Sequence, residues 1–412
     1  MSTPVLSDAQ LQEAVDAVAK YGSVTAASRV LKIPRPTFQH RVETARRRNF
    51  SAGPQQPLVD DAQLRDRIRE LETTLKSVRA ATLTDEYVKR KILSIREDLD
   101  LVEPPRWILE PKRGKGLPGV PVAIWSDWHW GEVVDKHEMG GLNEFNLTIA
   151  HARAKRLVER TIYLLCEHVV RPEYPGIIIN LGGDMLSGDI HDELTATNEV
   201  ALLPALLDVF GVLCTALTTM ADTFGKVFVP CVAGNHGRMT HKPRAKQRNY
   251  TNLDWLLYRF LQKHFESKED HRVRFLIPDA PDASYPVWGF RYVLTHGDQF
   301  RGGDSMIGHF GPVMRGGKRK MAREASVGRA FDLMMHGHFH TFFPTGQIVG
   351  NGSLKGYDEY AAGLNLSYEP PIQALWLVHP EHGVVQHLPV YLEPHAGREQ
   401  GAEWSAWETA AD

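Results

Sequence analysis

Apolar positions change their period twice along this 412-residue chain. In the first fifty residues Leu11, Val15 and Val18 share one helical face behind Ser7-Asp8-Ala9-Gln10, whose Ser and Gln fit a capping box. Gly22 stops that helix. Ser23 can cap a second, which turns Ala26, Ala27, Val30 and Leu31 inward, and Ile33-Pro34 marks a tight turn into a third carrying Phe38 and Val42. A Gly/Pro/Gln linker covers 51–57. Beyond it Leu64, Ile68, Leu71, Leu75 and Val78 alternate spacings of four and three, the seam of a short coiled coil or of a helix packed on its own domain. From about residue 120 strand-like runs at 122–126, 177–181, 227–233, 273–277, 292–295, 333–336 and 375–379 alternate with amphipathic stretches near 146–170, 198–224 and 252–266. That alternation predicts an α/β layered core, and the closer spacing of the later strands predicts two sheets. The expected organisation is a helical unit at 1–50, a helical linker at 51–115, an α/β domain at 116–394 and a loose tail at 395–412.

Composition narrows this reading modestly. Hydrophobic residues make up 42% and charged residues 24%, an ordinary globular balance. The net charge of −2 excludes a general polycation, so any affinity for nucleic acid must be local. Residues 1–50 carry eight Lys and Arg against four Asp and Glu, a charge of +4 that opposes the sign of the whole. No basic segment followed by an apolar one opens the chain, and no uninterrupted apolar run has transmembrane length. The expectation is therefore a cytoplasmic protein without a membrane partner. Cys166, Cys214 and Cys231 lie in apolar contexts and read as inert core thiols.

The chemistry sits in five ordered motifs: Asp127-Trp128-His129, Gly183-Asp184, Gly234-Asn235-His236, His296-Gly297-Asp298 and Gly337-His338-Phe339-His340. Each closes or closely follows a strand-like run. Together they offer about seven oxygen and imidazole donors, too many for one zinc ion and suited to two divalent metals sharing a carboxylate. Gly183, Gly234 and Gly337 are expected to permit the sharp backbone that aims their neighbours. His336 reads as a packed strand residue, and Trp128 and Trp130 as packing beside the ligands.

These motifs resemble those of the calcineurin-like metallophosphoesterase superfamily, over about 280 residues. The resemblance implies a four-layer αββα sandwich and a dinuclear site. One metal would take Asp127, His129, Asp184 and His340; the second would take Asp184, Asn235, His296 and His338, with Asp184 as the bridge. Mn²⁺ is the first expectation, with Mg²⁺, Fe²⁺, Zn²⁺ or Ni²⁺ as alternatives. His236 would be the catalytic histidine that contacts the phosphate and assists the leaving oxygen. The family usually follows that histidine with Asp or Glu, whereas this chain has Gly237. Asp189, Asp192, Glu193 and Asp298 are the candidates to replace it.

The sequence after Asp184, Met185-Leu186-Ser187-Gly188-Asp189, departs from the protein Ser/Thr phosphatase pattern and lacks the tyrosine of purple acid phosphatases. The first motif instead resembles that of the DNA-repair nuclease branch. Two basic runs follow metal motifs: Arg238, Lys242, Arg244, Lys246 and Arg248, then Arg301, Arg315, Lys318, Arg319, Lys320 and Arg323. Both are expected to rim the site and hold a polyanion, the second as a loop made mobile by Gly302, Gly303, Gly316 and Gly317. Residues 24–42 resemble the helix-turn-helix of Fis-like and resolvase-like proteins. That implies base-edge contacts from Arg35, Thr37, Gln39, His40 and Arg41, with phosphate contacts from Arg46, Arg47 and Arg48. The combined expectation is a phage-like nuclease that hydrolyses DNA by metal-activated hydroxide attack, with a homodimer through 64–78 as one option. A phosphoesterase for nucleotides or other small molecules, and a DNA-binding regulator with a non-catalytic scaffold, are the alternatives.

Overall fold

The computed structural model describes residues 6–52, 103–110, 119–170, 173–301 and 308–393. The chain divides into two units. The 64–78 seam, Gly302, Gly303 and the 395–412 tail lie outside the described residues.

The N-terminal unit has three helices: α1 (Asp8–Tyr21), α2 (Val24–Val30) and α3 (Arg35–Arg47). Ser7 and Gln10 form the capping box, Gly22 ends α1 with φ 73°, and Ser23 caps α2. Ala14, Ala17, Ala27, Phe38 and Val42 form the core, and small residues at three of these positions let the helices approach closely. Val30, expected inside, is 55% exposed, because α2 is one short turn pair whose buried stripe runs through Ala27 and Ser28.

The larger unit contains β1 (Val120–Trp125), β2 (Ile177–Leu181), β3 (Val227–Pro230), β4 (Val273–Leu276), β5 (Asp282–Val287), β6 (Phe290–Thr295), β7 (Leu333–His336), β8 (Phe343–Pro344), β9 (Ile348–Gly350), β10 (Ile372–Gln373), β11 (Leu375–His379), β12 (Gly383–His387) and β13 (Val390–Tyr391). Its helices are α4 (Arg106–Leu109), α5 (Leu147–Glu167), α6 (Asp192–Thr197), α7 (Leu202–Phe224), α8 (Leu253–Ser267), α9 (Phe310–Ser326) and α10 (Glu359–Gly363). The two large sheets have the orders β12-β11-β1-β2-β3-β4 and β5-β6-β7-β9-β8, and β10 pairs with β13 in a small third sheet. Within them β1, β2, β3 and β4 run parallel, as do β6, β7 and β9.

Period-two alternation builds the layers. Val120, Val122 and Ile124 of the first sheet meet Tyr285, Leu294, Leu333 and Met335 of the second in one buried core. Met334, pointing the other way, packs with Ile348 and Val313 of α9. Helices α7 and α8 pack on the outside of the first sheet against β3 and β4. The architecture is αββα. Helix α7 is long and apolar enough to cross a membrane, contrary to the sequence reading. Its Val209, Leu213, Leu217, Met220 and Ala221 are buried within this fold.

Two expectations about local structure change. The segment expected as a mobile basic loop is largely helix α9, with Gly316 and Gly317 inside it. A Cβ on Gly316 would lie 2.2 Å from the Phe300 ring, and one on Gly317 would lie 2.9 Å from Ile348, so these glycines serve close packing. Strand β5 escaped notice because Pro286 interrupts its pattern; β5 is an edge strand, where proline is tolerated.

Candidate metal centre

All five motifs lie at or just beyond the C-terminal ends of parallel strands: three from the first sheet (β1, β2, β3) and two from the second (β6, β7). Parallel pairing puts those ends on the same edge of each sheet, where open α/β sheets generally build sites. The ligand atoms then fall into overlapping groups. Asp127, His129 and His340 form one, Asp184, His296 and His338 another, and His129, Asp184 and His236 a third that joins them, each with atoms within 4.8 Å of one another. His129 and His340 present Nε2 atoms 3.1 Å apart. Asp184 Oδ2 and Asn235 Oδ1 lie 2.9 and 3.0 Å from His296 Nε2.

The backbone is bent to achieve this. Asp127, His129, Asp184, His338 and His340 all have φ between 49° and 69°. A non-glycine residue in this left-handed region costs on the order of 1 kcal/mol or more, and such strain concentrates at functional sites. Asp127 and His129 donate their backbone N–H to the carbonyls of Gly183 and Asp184, which locks the first motif onto the second. Gly183 has the positive φ (89°) expected of it, but Gly337 is needed for another reason. A Cβ there would lie 2.2 Å from Asp127 Oδ2, in the path of the ligand carboxylate.

The donor set fits two divalent cations. It brings two buried carboxylates, four imidazoles and one amide oxygen together where Asp127 and Asp184 are at most 1% exposed. Buried anions of this kind need a positive partner. Burial alone would push His296 down, but the Asp184 carboxylate beside it raises the ring to about 10. A proton thus stands where a metal would, and binding a cation must displace it. Mn²⁺ affinity is therefore expected to rise with pH between neutrality and about 10. Calorimetry at pH 7 in buffers of different ionisation enthalpy should register roughly one proton released. Affinity independent of pH over that range would contradict the placement of His296 on a metal. His338, in contrast, is pushed by burial down to about 4, already in the neutral form a ligand needs.

Three buried groups behind the ligands were not singled out from the sequence. Glu132 Oε2 lies 2.9 Å from His129 Nδ1 and so turns the opposite nitrogen toward the site. Lys355 Nζ sits 2.7 Å from Glu132 and 2.6 Å from Asp358, with all three side chains no more than 8% exposed. Asp254, fully buried, accepts hydrogen bonds from the backbone N–H of Asp184 (2.9 Å), Met185 (3.2 Å) and Gly234 (2.9 Å), joining the second and third motifs. Burial and the neighbouring Asp184 charge raise its carboxyl to about 6. A motif scan passes over these residues because none is adjacent to a ligand in a recognisable spacing.

His236 donates its backbone N–H to Asp184 Oδ1 (2.6 Å), and its Nδ1–H donates to the Ser187 carbonyl (2.7 Å). None of the four carboxylates proposed to replace the missing acidic neighbour bonds this ring. Asp298 makes a bidentate pair with Arg248 (2.7 and 2.9 Å), and Asp189, Asp192 and Glu193 are exposed. At position 237 a side chain has no room: a Cβ would lie 2.7 Å from Asn252 Oδ1 and 3.0 Å from the Asp254 nitrogen. The start of α8, which carries Asp254, occupies that space.

The basic residues divide. Lys242, Arg244, Lys246, Arg301, Lys318 and Arg319 are exposed. Arg238, expected to bind substrate, instead spends its guanidinium on the carbonyls of Asn235, Thr240 and His241. Lys320 is 7% exposed and bonds Asp282 Oδ1 (2.6 Å) and Thr295 Oγ1 (3.2 Å), so it supports β6 rather than a substrate. Lys318 Nζ hydrogen-bonds the side-chain oxygen of Gln347. In the N-terminal unit Arg35, Thr37, Gln39, His40, Arg46, Arg47 and Arg48 are exposed, while Arg41 is half-buried. His336 is fully buried in β7 with Nδ1 on the Gly337 carbonyl, and Trp125, Trp128 and Trp130 lie in series in the interior, their tilted rings 6.0 Å apart.

No protein-family model matches the sequence, and neither does any curated protein. Among solved structures the chain is similar to a conserved uncharacterised protein from Streptococcus pneumoniae, titled a predicted phosphoesterase. That likeness has 9% identity and a TM-score of 0.26 and covers 66% of this chain and 97% of that one. A zinc complex of Vps29 from Entamoeba histolytica gives 12% and 0.27, covering 66% and 100%. The sulfate thiohydrolase SoxB from Thermus thermophilus, complexed with glycerol, gives 8% and 0.29, covering 68% and 57%. The likenesses are distant, and the chemistry of this centre is read from its own donors.

Proposed function

We propose that the chain is a dinuclear-metal phosphodiesterase acting on nucleic acid, with DNA as the favoured substrate. The observation that carries this reading is the convergence of seven donors from five strand ends into two groups that meet at Asp184. Asp127, His129, Asp184 and His340 would hold one ion, and Asp184, Asn235, His296 and His338 the other. Two dications there would supply an activated water and offset charge on the phosphoryl oxygens. The chain's own residues do the rest. Glu132 orients His129, Asp254 holds the Asp184 loop against the Gly234 loop, and His236 lines the substrate side with its Nε2. Lys242, Arg244 and Lys246 beyond the third motif, with Arg301 beyond the fourth, suit a substrate longer than one phosphate. The exposed cations and polar tips of α3 favour a DNA-binding role for the N-terminal unit.

The deciding experiment assays the purified protein with Mn²⁺ on single-stranded DNA, duplex DNA, RNA, cyclic nucleotides and bis(4-nitrophenyl) phosphate in parallel. Cleavage of DNA well above the small esters is expected. Preference for a cyclic nucleotide or other small ester would favour the small-molecule reading, and no hydrolysis of any would favour the scaffold reading. Removing residues 1–50 is expected to weaken DNA binding and flatten its salt dependence, while hydrolysis of the small diester persists. Equal DNA affinity after truncation would remove the DNA-binding role from that unit.

A further inference from the structure

A second set of metal-type donors lies in the larger unit, away from the five motifs. Strands β11 and β12 are joined by a short hairpin, with His379 paired across it to Gly383 and Pro380, Glu381 and His382 between them. Gly383 takes the left-handed backbone that closes such a loop (φ 69°). Proline after His379 presets the turn, and a turn of this kind brings its first and fourth residues together. Those residues are the two histidines. Their rings stack at 4.8 Å with an inclination of 13°. The base of the hairpin is fixed, because Val378 is fully buried and a Cβ on Gly383 would stand 3.2 Å from the Phe290 ring.

The donors of this turn face one another without being used up. One atom from each of His379, Glu381 and His382 lies within 4.8 Å of the other two. His379 Nδ1 accepts the Glu381 backbone N–H at 3.2 Å. Its lone pair therefore faces into the turn, where a cation would take the place of that long contact. Glu381 Oε2 is 4.0 Å from His382 Nε2, beyond hydrogen-bond length. Donors on a tetrahedral zinc ion, bonded at about 2.0–2.1 Å, stand about 3.3 Å apart. The Glu381 and His382 side chains are 79% and 69% exposed. Rotation about their own bonds supplies the movement of about 1.5 Å that this spacing requires.

We propose that His379, Glu381 and His382 form a zinc site separate from the dinuclear centre. Two imidazoles and a carboxylate suit Zn²⁺, with water completing the tetrahedron, whereas Mn²⁺ and Mg²⁺ favour oxygen donors. Strand β11 runs antiparallel to β1, so Val378 faces Val120 at the start of β1, and Asp127 lies beyond its other end. The length of β1, about 20 Å, therefore stands between the two places. Strand β12 is an edge of the first sheet. An ion across the turn ties that edge strand to its neighbour and takes no part in the chemistry at the centre.

The test uses the full chain and Zn²⁺ itself. Diethyl pyrocarbonate acylates accessible imidazoles, and tandem mass spectrometry reads each position separately. With Zn²⁺ at about ten times its dissociation constant, acylation of His379 and His382 should slow by about tenfold, and Mg²⁺ should have no effect. Hydrogen exchange across β11 and β12 should slow in parallel. Asp184→Ala, which disables the dinuclear centre, should leave that protection unchanged. His379→Gln combined with His382→Gln should bind about one zinc ion fewer per chain by equilibrium dialysis, with unchanged circular dichroism. Zinc that leaves both histidines fully reactive, or an equal zinc count in the double variant, would overturn the proposal. Protection that vanishes in Asp184→Ala would also overturn it, since the effect would then come from the centre.

Discussion

Asp184→Ala is expected to lower phosphodiester hydrolysis by about four orders of magnitude, equivalent to about 5.5 kcal/mol of transition-state stabilisation. The size follows from how many roles meet at one side chain. Its Oδ2 faces His296 at 2.9 Å and its Oδ1 holds the backbone N–H of His236 at 2.6 Å, inside a site where the residue is 1% exposed. Asp184 is also the donor through which the two groups meet. Alanine would remove the carboxylate that would serve both ions, release the His236 backbone and leave His296 without its anion. Calorimetric titration with Mn²⁺ should change from two binding events to one weak event at most. A variant that kept even a tenth of its activity, or both binding events, would contradict the dinuclear assignment.

Lys355→Met should give the largest loss of stability, about 3–5 kcal/mol in urea unfolding of the metal-free α/β unit. Burial opposes the charge of each member of this cluster, yet Lys355 holds Glu132 well below the usual carboxylate range and lowers Asp358 as well. In return, the two carboxylates hold the Lys355 ammonium above its ordinary value. Removing the lysine strands two buried carboxylates, one of them 2.9 Å from the ligand His129. The sign of the pH dependence follows. The depressed carboxylates contribute stability above their unfolded values, and that contribution is lost as pH falls through their folded ones. In Lys355→Met, where burial is no longer opposed by the ammonium, protonating the two carboxylates relieves the stranded charge, so the stability deficit against the unaltered protein should shrink as pH falls. Combining Lys355→Met with Glu132→Gln and Asp358→Asn should recover much of the stability, since no buried charge remains. Mn²⁺ affinity at the His129 position should remain weakened by about 10-fold or more, because the imidazole has lost its orienting anion. A loss below 1 kcal/mol in the single variant would show that the cluster is not energetically coupled.

Much of the fold was legible along the chain because its core strands and helices keep clear periods. The seven expected strands all correspond to strands of the structure, α1 and α2 begin at the Ser caps their sequences advertise, and α3 begins just after the Ile33-Pro34 turn. Strands β5, β8, β9, β10, β12 and β13 were not expected: most are only two to five residues long, and Pro286 breaks β5. Helix α9 was hidden by Pro312, Gly316, Gly317 and a run of cations, all of which argue for a loop until Phe300, Met334 and Ile348 are seen packed against its glycines.

The sequence by itself determined the donor types, their order and their attachment to strand ends, because each motif is local and a strand's end is set by its own residues. What only the tertiary structure decided is what surrounds those donors. Asp254 lies 70 residues from the backbone of Asp184 that it binds, and Lys355 lies 223 residues from Glu132. Lys320 and Arg238 look like substrate cations until their partners are known, since a charged side chain carries no record of what it will face. The same holds for Gly237. Along the chain it is a missing carboxylate; in the fold it is the space that the start of α8 requires.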